Sequence, residues 1–79
     1  MVDKLYHILK RFPKNSESIR LLIAENPEFH ALCKDYDDCV HAWQFWGQST
    51  ASEAETRVKE YRTLVEELEK EIDAALRTL

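Results

Sequence analysis

Residues 51–79 read ASEAETRVKEYRTLVEELEKEIDAALRTL, and this stretch decides the fold. Its apolar residues recur at alternating intervals of four and three for more than three heptads, which is the spacing of a coiled-coil seam. Acidic residues stand four positions before basic ones on the outer face, the favourable orientation for ion pairs on a helix. We predict one long amphipathic helix. The seam consists of Ala54, Val58, Tyr61, Val65, Leu68, Ile72, Ala75 and Leu79, and the pairs are Glu53/Arg57, Glu55/Lys59, Glu66/Lys70 and Asp73/Arg77.

The stretch before it carries a matching seam. Asn26-Pro27 predicts a helix start, because proline suits the first helical turn and asparagine caps its free N–H groups. Apolar residues then recur at intervals of three and four up to the end of the segment. They are Phe29, Leu32, Tyr36, Cys39, Trp43 and Trp46, and Cys33 and Val40 widen the apolar face.

A turn separates the two seams at Gly47-Gln48-Ser49-Thr50. We predict Gly47 as a left-handed helix terminator, with Ser49, Thr50 or Ser52 as the cap of the next helix. Because a connection of four to six residues brings two helices side by side in opposite directions, the chain should form an antiparallel hairpin.

The N-terminal third predicts two short helices. Residues 2–12 form an apolar helical stripe that Pro13 ends, and Asn15 or Ser16 can cap the next helix. The last helix is longer than its hairpin partner, so its end needs another apolar neighbour. That neighbour is either the second helix, through Leu22 and Ile23 against Leu76 and Leu79, or a second copy of the chain.

These patterns define an all-α chain without a sheet. We predict a single helical domain over residues 1–79, with two short N-terminal helices in 1–26 followed by a long antiparallel, coiled-coil-like helical hairpin in 27–79. With 79 residues the chain is near the lower size limit for a stable core, so self-association would help it.

The charge distribution bears on partners and location. A net charge of −4 and a pI near 5.3 disfavour a nucleic-acid surface. The first segment is nevertheless basic, so weak binding to nucleic acid or another anionic surface is the alternative function. We see no signal-peptide pattern and no apolar run near ~18 residues, and therefore expect a soluble cytoplasmic protein without membrane contact. The basic residues are Lys4, Lys10, Arg11, Lys14 and Arg20.

One polar stripe invites a metal interpretation. His30, Cys33, Asp37 and His41 follow one another at helical spacing. Because four ligands spread over this length of one helix span ~16 Å of rise, they cannot converge on one ion without a second chain. We therefore predict no metal site.

The two thiols, Cys33 and Cys39, give no catalytic signal. A helix separates their Cα atoms by roughly 9 Å, which is too far for a disulfide. Both lie mid-helix near Asp35 and Asp38, and negative neighbours raise a thiol pKa. The chain also lacks a Gly-rich phosphate loop and a Gly-x-Ser-x-Gly motif. We predict no enzyme activity, no catalytic residue and no cofactor.

Aromatic residues cluster beside the turn. Trp43, Phe45 and Trp46 are candidates for partner binding, since tryptophan is enriched at binding hot spots. The alternative places them in the core, with the first helix folded over the hairpin tip so that Tyr6 or Phe12 covers Phe45. The candidate set therefore comprises all five residues.

The chain resembles a family of small bacterial proteins of unknown function typified by YdcH. That family shows a Phe-Pro pair, a short helix, Pro-x-Phe-x-x-Leu-x-x-x-Tyr and a helical hairpin. The last stretch, 64–68, lacks the family's lysine, and aromatic residues replace the usual polar approach to the turn. The matching residues are Phe12, Pro13, Ile19, Leu22, Pro27, Phe29, Leu32, Tyr36 and Asp37.

The resemblance implies a helical hairpin with a short N-terminal extension, a bacterial cytoplasm and no established catalytic activity, and it transfers no site residues. From the apolar seams we predict a non-catalytic protein-interaction or self-association module, whose partner is an unidentified protein or a second copy in a homo-oligomer.

Overall fold

The computed structural model describes residues 5–78, and in this range the chain is helical with no β-strand. Residues 5–78 contain four α-helices, and the 3₁₀ helix Pro13–Asn15 joins the first two. The all-α class predicted from the sequence is confirmed, whereas the predicted arrangement is followed only in outline. The α-helices are α1, Tyr6–Arg11; α2, Ser16–Glu25; α3, Pro27–Gly47; and α4, Ala54–Arg77.

The predicted start of α3 is confirmed. The Asn26 side-chain oxygen Oδ1 accepts hydrogen bonds from the backbone N–H of Glu28 at 3.0 Å and of Phe29 at 3.2 Å. Pro27 occupies the first turn, where its missing N–H costs nothing. These contacts satisfy donors that a helix N-terminus otherwise leaves free.

The boundaries of the first two helices differ from the prediction. Helix α1 covers only Tyr6–Arg11, and residues 1–4 of the predicted span lie outside the described part of the chain. Asn15 makes no capping hydrogen bond through its side chain, and Ser16 is already the first residue of α2. The predicted cap is therefore wrong, because the 3₁₀ turn after Phe12 leads directly into α2.

The predicted left-handed conformation of Gly47 is wrong. No glycine has a positive φ, and Gly47 is the last residue of α3. The chain turns after it. The backbone N–H of Gln48 donates to the Phe45 carbonyl and that of Ser49 to the Trp46 carbonyl, each at 3.2 Å, and Ser49 Oγ accepts from the Ala51 N–H at 3.1 Å. Right-handed backbone and a serine turn therefore connect α3 to α4 without needing glycine.

The core lies between α3 and α4 and is closed by the N-terminal helices. Helix α3 buries a stripe displaced from the predicted seam toward Cys33 and Val40, because α1 and α2 pack against it as well as α4. Each fully buried aliphatic side chain contributes roughly 1.5–3 kcal/mol to stability. The buried set is Ile8, Phe12, Ile19, Phe29, Cys33, Tyr36, Val40, Val65, Ile72 and Leu76.

The end of α4 is covered within the chain. Leu76 belongs to the buried cluster, and Leu22 and Ile23 of α2 pack against that same cluster. The chain itself thus buries Leu76, whereas the predicted contact of Leu22 and Ile23 with this end of α4 stays a prediction, and Leu79 lies outside the described residues. Within residues 5–78, no helix has the length and apolar content needed to cross a membrane.

Candidate interaction surface

The hairpin has one covered face and one open face. Helix α1 lies on the covered face: the His7 ring meets the His41 ring edge to face at 5.9 Å between centroids, and Arg11 Nε lies 3.2 Å from Glu69 Oε2. Tyr36, 3 % exposed, donates its hydroxyl to the same Glu69 oxygen at 2.7 Å. Side chains of α1, α3 and α4 thus meet at one carboxylate.

The open face carries a groove between α3 and α4, on the side of the hairpin opposite to α1. Its floor is apolar and consists of Cys39, Leu64 and Leu68. Leu64 is 43 % exposed, and the other two are half-buried. Because one turn separates Leu64 from Leu68 on α4, the two leucines form a continuous apolar strip along the groove.

Four carboxylates rim this groove, and we call the whole set the acidic groove. Asp35 and Asp38 stand on the α3 side, and Glu67 and Glu71 on the α4 side. None of the four forms an ion pair within residues 5–78, and no lysine or arginine lines the groove there. The local potential is therefore negative over an apolar floor.

The thiol of Cys39 responds to this environment. Burial is the largest cause that raises the pKa of this thiol, and the negative charges of Asp35 and Asp38 raise the pKa further. Burial alone raises the pKa of the Cys33 thiol to about 11. Both thiols are therefore protonated at neutral pH, a state with little nucleophilic reactivity.

The structure does not bring the five predicted partner-binding residues together on one surface. Phe45 is 62 % exposed and packs edge to face on the half-buried Trp46, with ring centroids 5.3 Å apart. Trp43 is half-buried against the core. Tyr6 is 60 % exposed on α1, and Phe12, 9 % exposed, belongs to the core cluster.

The alternative in which α1 covers Phe45 is wrong. Helix α1 docks beside Asp37 and His41 of α3, short of the hairpin tip, so Phe45 stays exposed. Trp46 follows Cys39 by seven residues, and this spacing puts both on the same side of α3. Trp46 therefore lies on the groove side of α3, nearer the hairpin tip than the residues that line the acidic groove.

The basic N-terminal segment is partly neutralised. Arg11 pairs with Glu69, and Lys10 Nζ lies 5.5 Å from the centre of the Tyr6 ring. Lys14 and Arg20 are exposed, and Lys4 lies outside the described residues. The alternative of nucleic-acid or anionic-surface binding would thus lose one of its five cations to an internal ion pair.

A second cluster of chemical interest lies under α1. The side chains of His7, Asp37 and His41 bring one potential ligand atom each to within 4.8 Å of one another. Asp37 and His41 belong to the polar stripe seen in the sequence, whereas His7 lies thirty residues before Asp37 and joins it only through helix docking. No spacing rule in the sequence signals that contact.

Comparison of the chain with known protein families, with curated proteins and with solved structures finds no match. The resemblance to the YdcH-like family therefore stays a prediction.

Proposed function

We propose that this chain is a non-catalytic protein-interaction module that binds a basic, amphipathic helix of a partner protein in the acidic groove. The observation that carries the proposal is the apolar floor of Cys39, Leu64 and Leu68 beneath four carboxylates without ion-pair partners in residues 5–78. Membership of the YdcH-like family is part of the same proposal, because that resemblance implies a helical hairpin with no established catalytic activity.

Shape favours a helix as the occupant. A groove between two antiparallel helices accepts the side-chain ridge of a third helix, which would bury its apolar stripe on the exposed strip of Leu64 and Leu68. Trp46 lies on the same side of α3 and offers an aromatic anchor at the tip end, the residue type that most often dominates binding energy.

Charge favours a basic partner over a second copy. A two-fold dimer through this groove would bring the same four carboxylates of each copy together, and like charges at an interface oppose binding. Lysine or arginine residues flanking an apolar stripe would instead neutralise the rim. Self-association and binding to anionic surfaces are the two alternatives that the experiments below must separate from this proposal.

The test uses two fluorescent helical peptides with the same leucine stripe, one flanked by lysine and the other by glutamate. We expect the chain to bind the lysine peptide at physiological salt, where exposed charges are partly screened, and to reject the glutamate peptide. Leu64→Asp should abolish binding, whereas Leu21→Asp should not, because Leu21 is a 61 % exposed leucine on α2 outside the groove.

Sedimentation equilibrium separates the competing outcomes. The proposal expects a 9.3 kDa species at all concentrations. A dimer that Leu64→Asp dissociates would replace the foreign helix with a second copy. Equal binding of both peptides, or unchanged binding after Leu64→Asp, would remove the acidic groove as the site.

A further inference from the structure

Two histidines and one aspartate converge where α1 docks on α3. Asp37 and His41 are one helical turn apart on α3, and this spacing places both side chains on one side of that helix. His7 reaches them from α1. Their potential ligand atoms all lie within 4.8 Å of one another, so three side chains from two helices surround a single point.

The fold already orients part of this cluster. The backbone N–H of His7 donates to Asp37 Oδ1 at 3.2 Å, which leaves Oδ2 of the same carboxylate available. The His7 and His41 rings stand nearly perpendicular, at 83°. His7 and Asp37 are half-buried and His41 is exposed, so the cluster opens to solvent on one side. A hydrogen bond to a ligating carboxylate is the kind of outer contact that tunes metal sites.

The geometry points to a binding site for one divalent transition-metal ion per chain, held by the imidazoles of His7 and His41 and the carboxylate of Asp37. Zinc sites with three protein ligands of this kind keep a fourth position for water. The solvent-exposed side next to His41 provides that position.

The cluster needs only small adjustments to bind an ion. At zinc–ligand distances of about 2.0–2.2 Å, tetrahedral ligand atoms lie roughly 3.3–3.6 Å apart. The present spread of up to 4.8 Å closes by rotation of side chains, of which one is exposed and two are half-buried.

The donor set selects the class of metal. Two imidazole nitrogens and one carboxylate oxygen suit zinc, cobalt, nickel and copper, whereas magnesium and calcium prefer oxygen ligands alone. Because His7 belongs to α1 and the other two ligands to α3, a bound ion would fasten α1 to the hairpin. This site lies on the covered face, away from the acidic groove.

The first experiment is calorimetric titration of the folded, full-length chain with zinc chloride. We expect one ion per chain, and we expect His7→Gln and His41→Gln each to weaken binding at least about tenfold, the lower end for loss of metal-supporting groups. His30→Gln is the matched control, because it removes the chain's third histidine and leaves the cluster intact. Cys39→Ser controls for zinc capture by the thiol of the acidic groove.

Thermal unfolding with and without zinc gives a second readout. Zinc should raise the midpoint of the wild-type chain and of His30→Gln, since an ion that binds only the folded state stabilises it. His41→Gln changes an exposed residue and should fold normally, but zinc should not shift its midpoint. No zinc binding by the wild type, binding unchanged in His7→Gln, or binding lost in Cys39→Ser would each overturn the proposal.

Discussion

The hydrogen bond between Tyr36 of α3 and Glu69 of α4 provides a quantitative test of how the two helices of the hairpin are joined. We consider the substitution Tyr36→Phe, which removes one hydroxyl from a side chain that is 3 % exposed and leaves the ring in place. The lost bond is 2.7 Å long and ends on a carboxylate, and bonds to charged groups contribute about 1.5–3 kcal/mol.

The expected loss lies at the lower end of this range. Glu69 is 24 % exposed and keeps Arg11 as its partner, so water can replace the hydroxyl. We therefore expect Tyr36→Phe to lower the free energy of unfolding by about 1.5 kcal/mol. Glu69→Ala should cost about 1–3 kcal/mol, because it leaves the Tyr36 hydroxyl buried without an acceptor.

The assay is urea unfolding at neutral pH, followed by circular dichroism, for both single variants and the double variant. The double variant should be more stable than the sum of the two losses predicts, by about 1 kcal/mol, since it removes both partners. Tyr61→Phe is the matched control. Tyr61 is half-buried and its hydroxyl makes no hydrogen bond within residues 5–78, so loss of that hydroxyl should cost no more than about 0.5 kcal/mol. Two results would refute the reasoning: a loss of unfolding free energy in Tyr36→Phe as small as in Tyr61→Phe, or a loss in the double variant equal to the sum of the two single losses.

Two further predictions concern the backbone and the thiols. Gly47→Ala should stabilise the chain by about 0.5–1 kcal/mol in urea unfolding, because Gly47 is helical without a positive φ and a Cβ there meets nothing within 4 Å; destabilisation would mean that the turn needs glycine after all. Cys33 has a pKa raised from 9.0 to about 11 in the folded chain. The Cys33 thiol therefore makes its full contribution to the free energy of unfolding below pH 9, and roughly 2–3 kcal/mol of this contribution is lost as the pH rises from 9 to 11. Cys33→Ala should lack this part of the loss of stability at alkaline pH. If the free energy of unfolding fell equally steeply with pH in both proteins, burial of the thiol would be contradicted as the cause.

Local sequence signals correctly predicted those helix boundaries that depend only on residues a few positions apart. The cap at Asn26 and the break at Pro13 involve contacts or missing donors within a few positions, so short-range rules suffice for them. The same rules failed at Gly47 and Asn15, where more than one local geometry satisfies the backbone. A serine turn replaced the expected left-handed glycine, and a 3₁₀ helix replaced the expected cap.

The candidate sites could be predicted from the sequence less well than the helices. Cys39 and Leu68 belong to the predicted seams and Leu64 directly precedes the seam residue Val65, but the sequence cannot tell a covered apolar face from an open one. That distinction depends on which side of the hairpin α1 occupies. The same docking decides that Phe12 is in the core while Phe45 remains exposed.

By itself, the sequence determined the all-α class and the amphipathic character of α4, because helix periodicity and local capping act over a few residues. Only the tertiary structure decided which face of the hairpin is covered, where the acidic groove lies, and that His7 meets Asp37 and His41. These contacts join residues about thirty positions apart in the sequence, and they result from burying Ile8 and Ile19 against the hairpin. Periodicity records which residues seek burial, but the choice of partner for each apolar face is made by packing in three dimensions.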